Sequence, residues 1–426
     1  MYRVIIIICF LLTSVQAHAQ LSGQAKIDSL LAELPKAKGD TNEVKLLKDL
    51  SYEYYAINPD KGIKYGEDCL ALAKKIDWKK GEAGSFNSLG VNYYSKSDYP
   101  NALEYYEKAL KIYKETGNKN GVAANHGNMG IIYQLQSNYP KALEYYEKAL
   151  KINEEIGNKK GIATDLGNIG NIYHYQSDYP KALENYGKAL KINEELRNNN
   201  RIASNYGNMG NVYQNQSDYQ TALEYYRKAI KIYKELGNKY GVASNLGNIG
   251  NVYQSQKEFF KALEHYEKAL KINEEIGNKY GVARDLGNMG NVYRYQFDYP
   301  KALEYYGKAI KINEEIGKKY GIAINLGNMG ELYLILSQDS VTINPYELNE
   351  YVSLNKEVNL NKSIEYSQEA INIYKEIGEL NFRSQTLKRL ANAYRQKGDY
   401  KNSDKYIREH HKLKDSVFNQ ENAEKI

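Results

Sequence analysis

From Gly81 to Tyr320 the chain repeats itself every 40 residues without a slip. Gly241-Val242-Ala243 through Lys279-Tyr280 and Gly281-Val282-Ala283 through Lys319-Tyr320 agree at most positions, including K-A-L-E-x-Y and the K-I-N-E-E-I-G after it. A fixed period of this kind means supersecondary units that bury their apolar faces only by stacking on neighbours. It overrides the roughly two or three globular domains expected of a chain this long.

Each unit reads as two helices. Ala243, Leu246, Ile249, Val252 and Tyr253 stand at helical spacing and predict a first helix over about Val242 to Gln256. A polar turn, Ser-Asp-Tyr in most copies, leads to a proline (Pro100, Pro140, Pro180, Pro300) that opens the second helix, where its missing N–H costs least. Ala302, Leu303, Tyr306, Ala309, Ile310 and Ile312 form that helix's apolar stripe. A glycine ends it (Gly117, Gly157, Gly237, Gly277, Gly317), as a left-handed cap requires, and an N-K-x-G loop leads onward. The fold class is therefore all-α, an array of stacked helical hairpins.

The spacing of Leu89, Gly90, Tyr93, Ala102, Tyr106 and Ala109, recurring through Gly130, Gly170, Gly210, Gly250 and Gly290, resembles the tetratricopeptide signature. The 40-residue period is similar to the long-repeat arrays of kinesin light chains and Pins-type scaffolds. The resemblance implies a right-handed α-solenoid (a superhelix) of about nine repeats over residues 40–417, the first and last of them degenerate. Between Gly330 and Ala370 the pattern is 21 residues too long, which places an insertion near 337–359, read as a surface loop or short extra helix, with a lid or partner contact as the alternative.

The ends have their own reading. Met1-Tyr2-Arg3, the apolar run Val4 to Leu12 and Ala17-His18-Ala19 form a secretory signal peptide over residues 1–19, cleaved near Ala19. A run this short does not span a bilayer. The expected product is periplasmic or secreted, with a capping helix over 20–39 and a tail over 418–426. Cys69 is then the one thiol left, expected as a small buried residue.

The resemblance implies that the first helices line the concave surface. Their recurrent polar residues are Asn168 and Asn171, Asn208 and Asn211, Asn248 and Asn251, Asn288 and Asn291. Residues three apart share a helix face, so stacking would line them into a ladder. An amide offers a donor and an acceptor and so matches the C=O and N–H of an extended peptide. In the long-repeat relatives, asparagines at these positions grip a ligand's main chain. A purely structural ladder, amide to amide, is the alternative. Beside it, His174, Gln214, Gln254 and Arg294 vary between repeats, and Arg284 with Arg294 is expected to make one end of the groove positive.

Other chemistries find little footing. The 58 basic and 52 acidic residues are interspersed as solvated helix faces, without the clustered cations of a nucleic-acid binder. The histidines are scattered, His410 and His411 reading as solvated, and no set has metal-ligand spacing. No metal, cofactor, membrane span or enzymatic activity is expected. The expected function is an exported scaffold that binds an extended peptide or partner protein. The alternative is a periplasmic sensor module: Leu390 to Asn419 resembles the end of the repeat arrays in Bacteroidetes-type sensor kinases, with no output domain before Ile426. That alternative implies a membrane-bound signalling partner.

Overall fold

In the computed structural model, residues 14–338 and 351–423 are described. They form nineteen α-helices and a short 3-10 turn, with no strand among the described residues. The chain divides into two compact units, Met1–Asp218 and Tyr219–Ile426. In the first unit α1 (Ser14–Glu33) precedes four hairpins and a further helix: α2 (Thr41–Tyr54) with α3 (Pro59–Lys75), α4 (Lys79–Ser95) with α5 (Tyr99–Glu115), α6 (Lys119–Leu135) with α7 (Tyr139–Glu155), α8 (Lys159–Tyr175) with α9 (Tyr179–Glu195), then α10 (Asn199–Asn215). The second unit begins with α11 (Tyr219–Glu235). Its hairpins are α12 (Lys239–Ser255) with α13 (Phe259–Glu275), α14 (Lys279–Tyr295) with α15 (Tyr299–Glu315), α16 (Lys319–Leu336) with α17 (Lys356–Glu376), and α18 (Asn381–Gln396) with α19 (Tyr400–Ala423). Within each unit chain neighbours pack together, and first helices also touch the first helix of the next hairpin. This is the solenoid architecture of stacked hairpins.

One contact between paired helices recurs. A Cβ on Gly90, Gly130, Gly170, Gly250 or Gly290 would stand 2.5 to 2.7 Å from the ring of Tyr106, Tyr146, Tyr186, Tyr266 or Tyr306. Only glycine lets the second helix's tyrosine lie flat on the first helix, and each such ring is at most 2% exposed. Fully burying a ring of this size stabilises by about 2 kcal/mol. In the hairpin of α16 and α17 a serine takes the tyrosine's place. Ser363 Oγ donates to Gly330 O at 2.8 Å, and a Cβ on Gly330 would meet Ser367 Oγ at 2.5 Å.

The helix ends differ in one respect from the sequence expectation. The N-K-x-G stretch is the start of the next helix. Asn118, Asn158, Asn198, Asn238 and Asn278 are N-caps whose side chains accept the N–H three residues on. The glycine before each of four of these caps is left-handed, with φ of 66° to 67°, while Arg197 adopts φ 51° before Asn198.

Cys69 is fully buried, its Sγ 3.2 Å from Val44 O and bonded by Ser85 Oγ at 2.9 Å. His410 is half-buried, not solvated: its Nδ1 lies 2.8 Å from Ser384 O, because α19 packs on α18. Of the expected signal peptide, residues 1–13 lie outside the described residues, as do 339–350 of the insertion. The described end of the insertion is tied to the second unit: Tyr333 donates its hydroxyl to Tyr351 O at 2.6 Å, and Asn359 Nδ2 donates to Leu336 O at 3.2 Å. The final helix runs to Ala423, into the segment expected as a tail.

Candidate groove along the first helices

All eight asparagines lie half-buried on first helices: Asn168 and Asn171 on α8, Asn208 and Asn211 on α10, Asn248 and Asn251 on α12, Asn288 and Asn291 on α14.

Their hydrogen bonds have a direction. The second asparagine of a pair accepts from the tyrosine that covers its own glycine. Tyr186 donates to Asn171 Oδ1 at 2.6 Å, Tyr266 to Asn251 Oδ1 at 2.7 Å and Tyr306 to Asn291 Oδ1 at 2.7 Å. The same oxygen takes a second, longer bond from the first asparagine of the next repeat: Asn208 to Asn171 at 3.4 Å, Asn288 to Asn251 at 3.3 Å and Asn328 to Asn291 at 3.3 Å. Both acceptor sites are thus used. Among the described residues, Nδ2 of Asn171, Asn251 and Asn291 donates to nothing. The oxygen of each amide is thus built into the stack, and its N–H₂ is left uncommitted. Asn168 has no such partner, since Ile131 stands where the preceding repeat would supply an asparagine.

The variable positions are also engaged. Gln254 Oε1 accepts from Tyr266 at 2.8 Å, alongside Asn251. His174, whose pKa burial lowers, lies 2.8 Å through Nε2 from Asn215 Nδ2. Gln214 is half-buried on α10.

The two arginines are paired within the chain. Arg284 donates through Nε (3.0 Å) and Nη2 (2.8 Å) to Asp285 Oδ1, and Arg294 Nη1 donates to Glu331 Oε2 at 2.8 Å, which Arg389 shares at 3.0 Å. Asp285 is fully buried beside Arg284, and Arg294 shares the single carboxylate of Glu331 with Arg389.

Beneath the ladder lies a buried polar layer that the sequence reading passed over. Asn125, Asn205, Asn245 and Asn325 occupy one position of the first helix, and Asp165 and Asp285 take its place in two repeats. Asn153 Nδ2 donates to Asp165 Oδ2 at 2.7 Å and Asn158 Nδ2 to Asn153 Oδ1 at 2.8 Å; Asn273, Asp285 and Asn278 repeat the network at 2.7 and 2.7 Å. Burial pushes the Asp165 carboxyl up to about 7. The signal was a charged residue substituted at an otherwise amide position of a near-identical repeat.

Two cavities open on this face. One of about 310 Å³ lies between α6 and α8 in the first unit, lined by Gly127, Asn128, Thr164, Asp165 and Asn168 among others. One of about 420 Å³ lies between α14 and α16 in the second, lined by Tyr280, Arg284, Asn288, Asn291, Tyr320 and Asn328 among others. Among the described residues no three His, Cys, Asp or Glu side chains gather as a metal site, and no helix is long and apolar enough to cross a membrane.

A family model described as tetratricopeptide repeat matches five overlapping stretches, residues 81–155, 121–195, 161–235, 201–275 and 241–315, and a second of the same description matches 386–417. No curated protein matches the chain. Among solved structures, a Rap protein complexed with competence and sporulation factor aligns at 15% identity and a TM-score of 0.54, covering 89% of this chain and 100% of that one. The apo form of the quorum sensor NprR from B. thuringiensis aligns at 16% and 0.54, covering 87% and 99%. Aspartyl phosphate phosphatase F from Bacillus subtilis aligns at 14% and 0.53, covering 88% and 94%. At these identities the likeness is one of fold.

Proposed function

The chain belongs to the tetratricopeptide repeat family, and on that premise we propose that it is an exported scaffold that holds an extended peptide segment of a partner protein along its first helices. Repeats of this family are protein–protein interaction scaffolds. The observation that carries the finer reading is the uncommitted N–H₂ group on Asn171 in the first unit and on Asn251 and Asn291 in the second, whose oxygens are already bonded. Such donors complement the carbonyls of a main chain independently of side chains. Asn168, Asn208, Asn211, Asn248 and Asn288 extend the series, and His174, Gln214, Gln254, Arg284 and Arg294 would set selectivity along its edge.

The test is crosslinked capture from intact cells by the parent chain and by a variant carrying Asn171→Asp, Asn251→Asp and Asn291→Asp. Aspartate keeps an oxygen for each tyrosine and removes the donor. With helicity and melting matched, a partner held by the parent and lost from the variant supports the reading. Equal capture by both would refute it. Export is tested separately, by sequencing the N-terminus of the cell-derived chain: a start near Gln20 supports it and an intact Met1 contradicts it.

The similarity of Leu390 to Asn419 to sensor-kinase repeat arrays favours a second reading, in which the captured peptide is a signal and the chain a separate sensor subunit. A membrane-bound signalling protein among the captured partners would distinguish it from a passive scaffold.

A further inference from the structure

The two aspartates of the buried layer stand 120 residues apart, three repeats; Gly127, Asn153, Asn158 and Asn168 around the first recur as Gly247, Asn273, Asn278 and Asn288 around the second, while Lys160 and Thr164 stand where the second has Tyr280 and Arg284. In the second unit Arg284 precedes Asp285 and lays its guanidinium against it. That guanidinium lies over Gly247 of the preceding first helix, where a Cβ would stand 3.0 Å from Arg284 Nη2. In the first unit Thr164 precedes Asp165 and spends its hydroxyl on Lys160 O at 2.9 Å. Gly127 holds the place of Gly247, and a Cβ there would meet nothing within 4 Å. The space that a guanidinium fills in one repeat is open in the other, and it belongs to the 310 Å³ cavity.

Asp165 is 5% exposed and lines that cavity. Its single hydrogen bond comes from Asn153 to Oδ2, which leaves Oδ1 without a donor among the described residues. Lys160, exposed at the rim, is the other charged side chain lining the cavity and forms no ion pair with Asp165. A buried carboxylate lacking a counter-charge is costly to a fold, and four sister repeats avoid it with asparagine at this position.

We propose that the cavity between α6 and α8 is a receptor for a guanidinium group, an arginine side chain of the bound partner, with Asp165 as its counter-charge and Gly127 as its floor. Arg284 on Asp285 is the chain's own copy of the filled site. A planar fork on a carboxylate is the geometry that distinguishes arginine from lysine. Asn168, at the same cavity with its amide uncommitted, is placed to take the main chain beside that arginine. The inference rests on the groove reading above and names one side chain of its ligand.

The test titrates the full chain near pH 8 with N-acetyl-arginine methylamide and with its neutral citrulline counterpart, following the amide resonances of Gly127 and Thr164. The arginine compound is expected to bind at least tenfold more tightly than the citrulline compound. Asp165→Asn should reduce its affinity at least tenfold. Thr164→Arg, which copies the second unit, should abolish binding while raising the melting temperature, so a folding defect would not mimic the result. Equal binding of the two compounds, or unchanged affinity in Asp165→Asn, would overturn the proposal. Asparagine-dependent capture of a partner alongside no arginine binding would refute this subsite and leave the groove standing. Arginine binding without such capture would uphold the subsite and refute the groove.

Discussion

At the scale of single residues, two buried ionisable groups act on stability in opposite senses. Asp165 ionises near 3.8 when unfolded and near 7 when folded, so between these values the folded chain holds the extra proton. Its contribution therefore falls as pH rises through that window and is least favourable above it. Replacing it by the asparagine of its sister repeats should stabilise the protein near pH 8 by on the order of 2 kcal/mol in denaturant titrations, with little effect near pH 4. His126, 6% exposed, has its pKa lowered to about 4 by burial, with Lys114 and Lys148 adding to the shift. Here the unfolded chain takes up the proton first, and stability is lost as pH falls from about 6.5 toward 4. Leucine occupies its place in four other repeats, so His126→Leu should flatten the acid limb of the stability curve. Cys69, its thiol pushed up to about 11 by burial, should resist a thiol reagent in the native state and react at the rate of unfolding.

At the scale of helices, glycines of one sequence motif divide into two kinds. Gly250→Ala would drive a methyl to 2.6 Å from Tyr266 and should cost on the order of 2 kcal/mol. Gly127→Ala and Gly167→Ala meet nothing within 4 Å and should stabilise by about 0.5–1 kcal/mol in the same thermal or denaturant melts. A ligand-facing role for Gly127 would then show as weaker arginine binding in the more stable variant. Tyr266→Phe removes the one hydroxyl proton that Asn251 and Gln254 share and should cost about 1 kcal/mol. Much of this level was legible beforehand. Period, proline and glycine located hairpins, turns and left-handed caps because those residues have narrow backbone preferences. The capping asparagines were misread as loop, since an N-cap and a loop residue share the same polarity. The left-handed serines at Ser97, Ser137, Ser177 and Ser217, with φ of 57° to 62°, carried no glycine to mark them. The eight asparagines were picked out by their spacing together with the family resemblance that places first helices on the concave side, but which end of each amide is committed depends on a tyrosine hydroxyl from another helix. The counter-charges of Arg284 and Arg294 were missed because one partner is the adjacent residue, normally on another face, and the other lies a repeat away.

At the scale of the molecule, the outer faces carry exposed Lys–Glu pairs such as Lys148–Glu144 and Lys268–Glu264, which contribute little individually and keep those faces solvated. The first-helix face instead holds recurring amide donors, two cavities and a buried carboxylate. The groove proposed on that face predicts where a bound partner protects the chain. The most direct measurement is hydrogen–deuterium exchange of the full chain with and without the crosslink-captured partner. Protection concentrated in α8, α12 and α14, with α9, α13 and α15 unchanged, is the predicted result. Protection confined to the second helices would contradict it and move the binding surface to the opposite face.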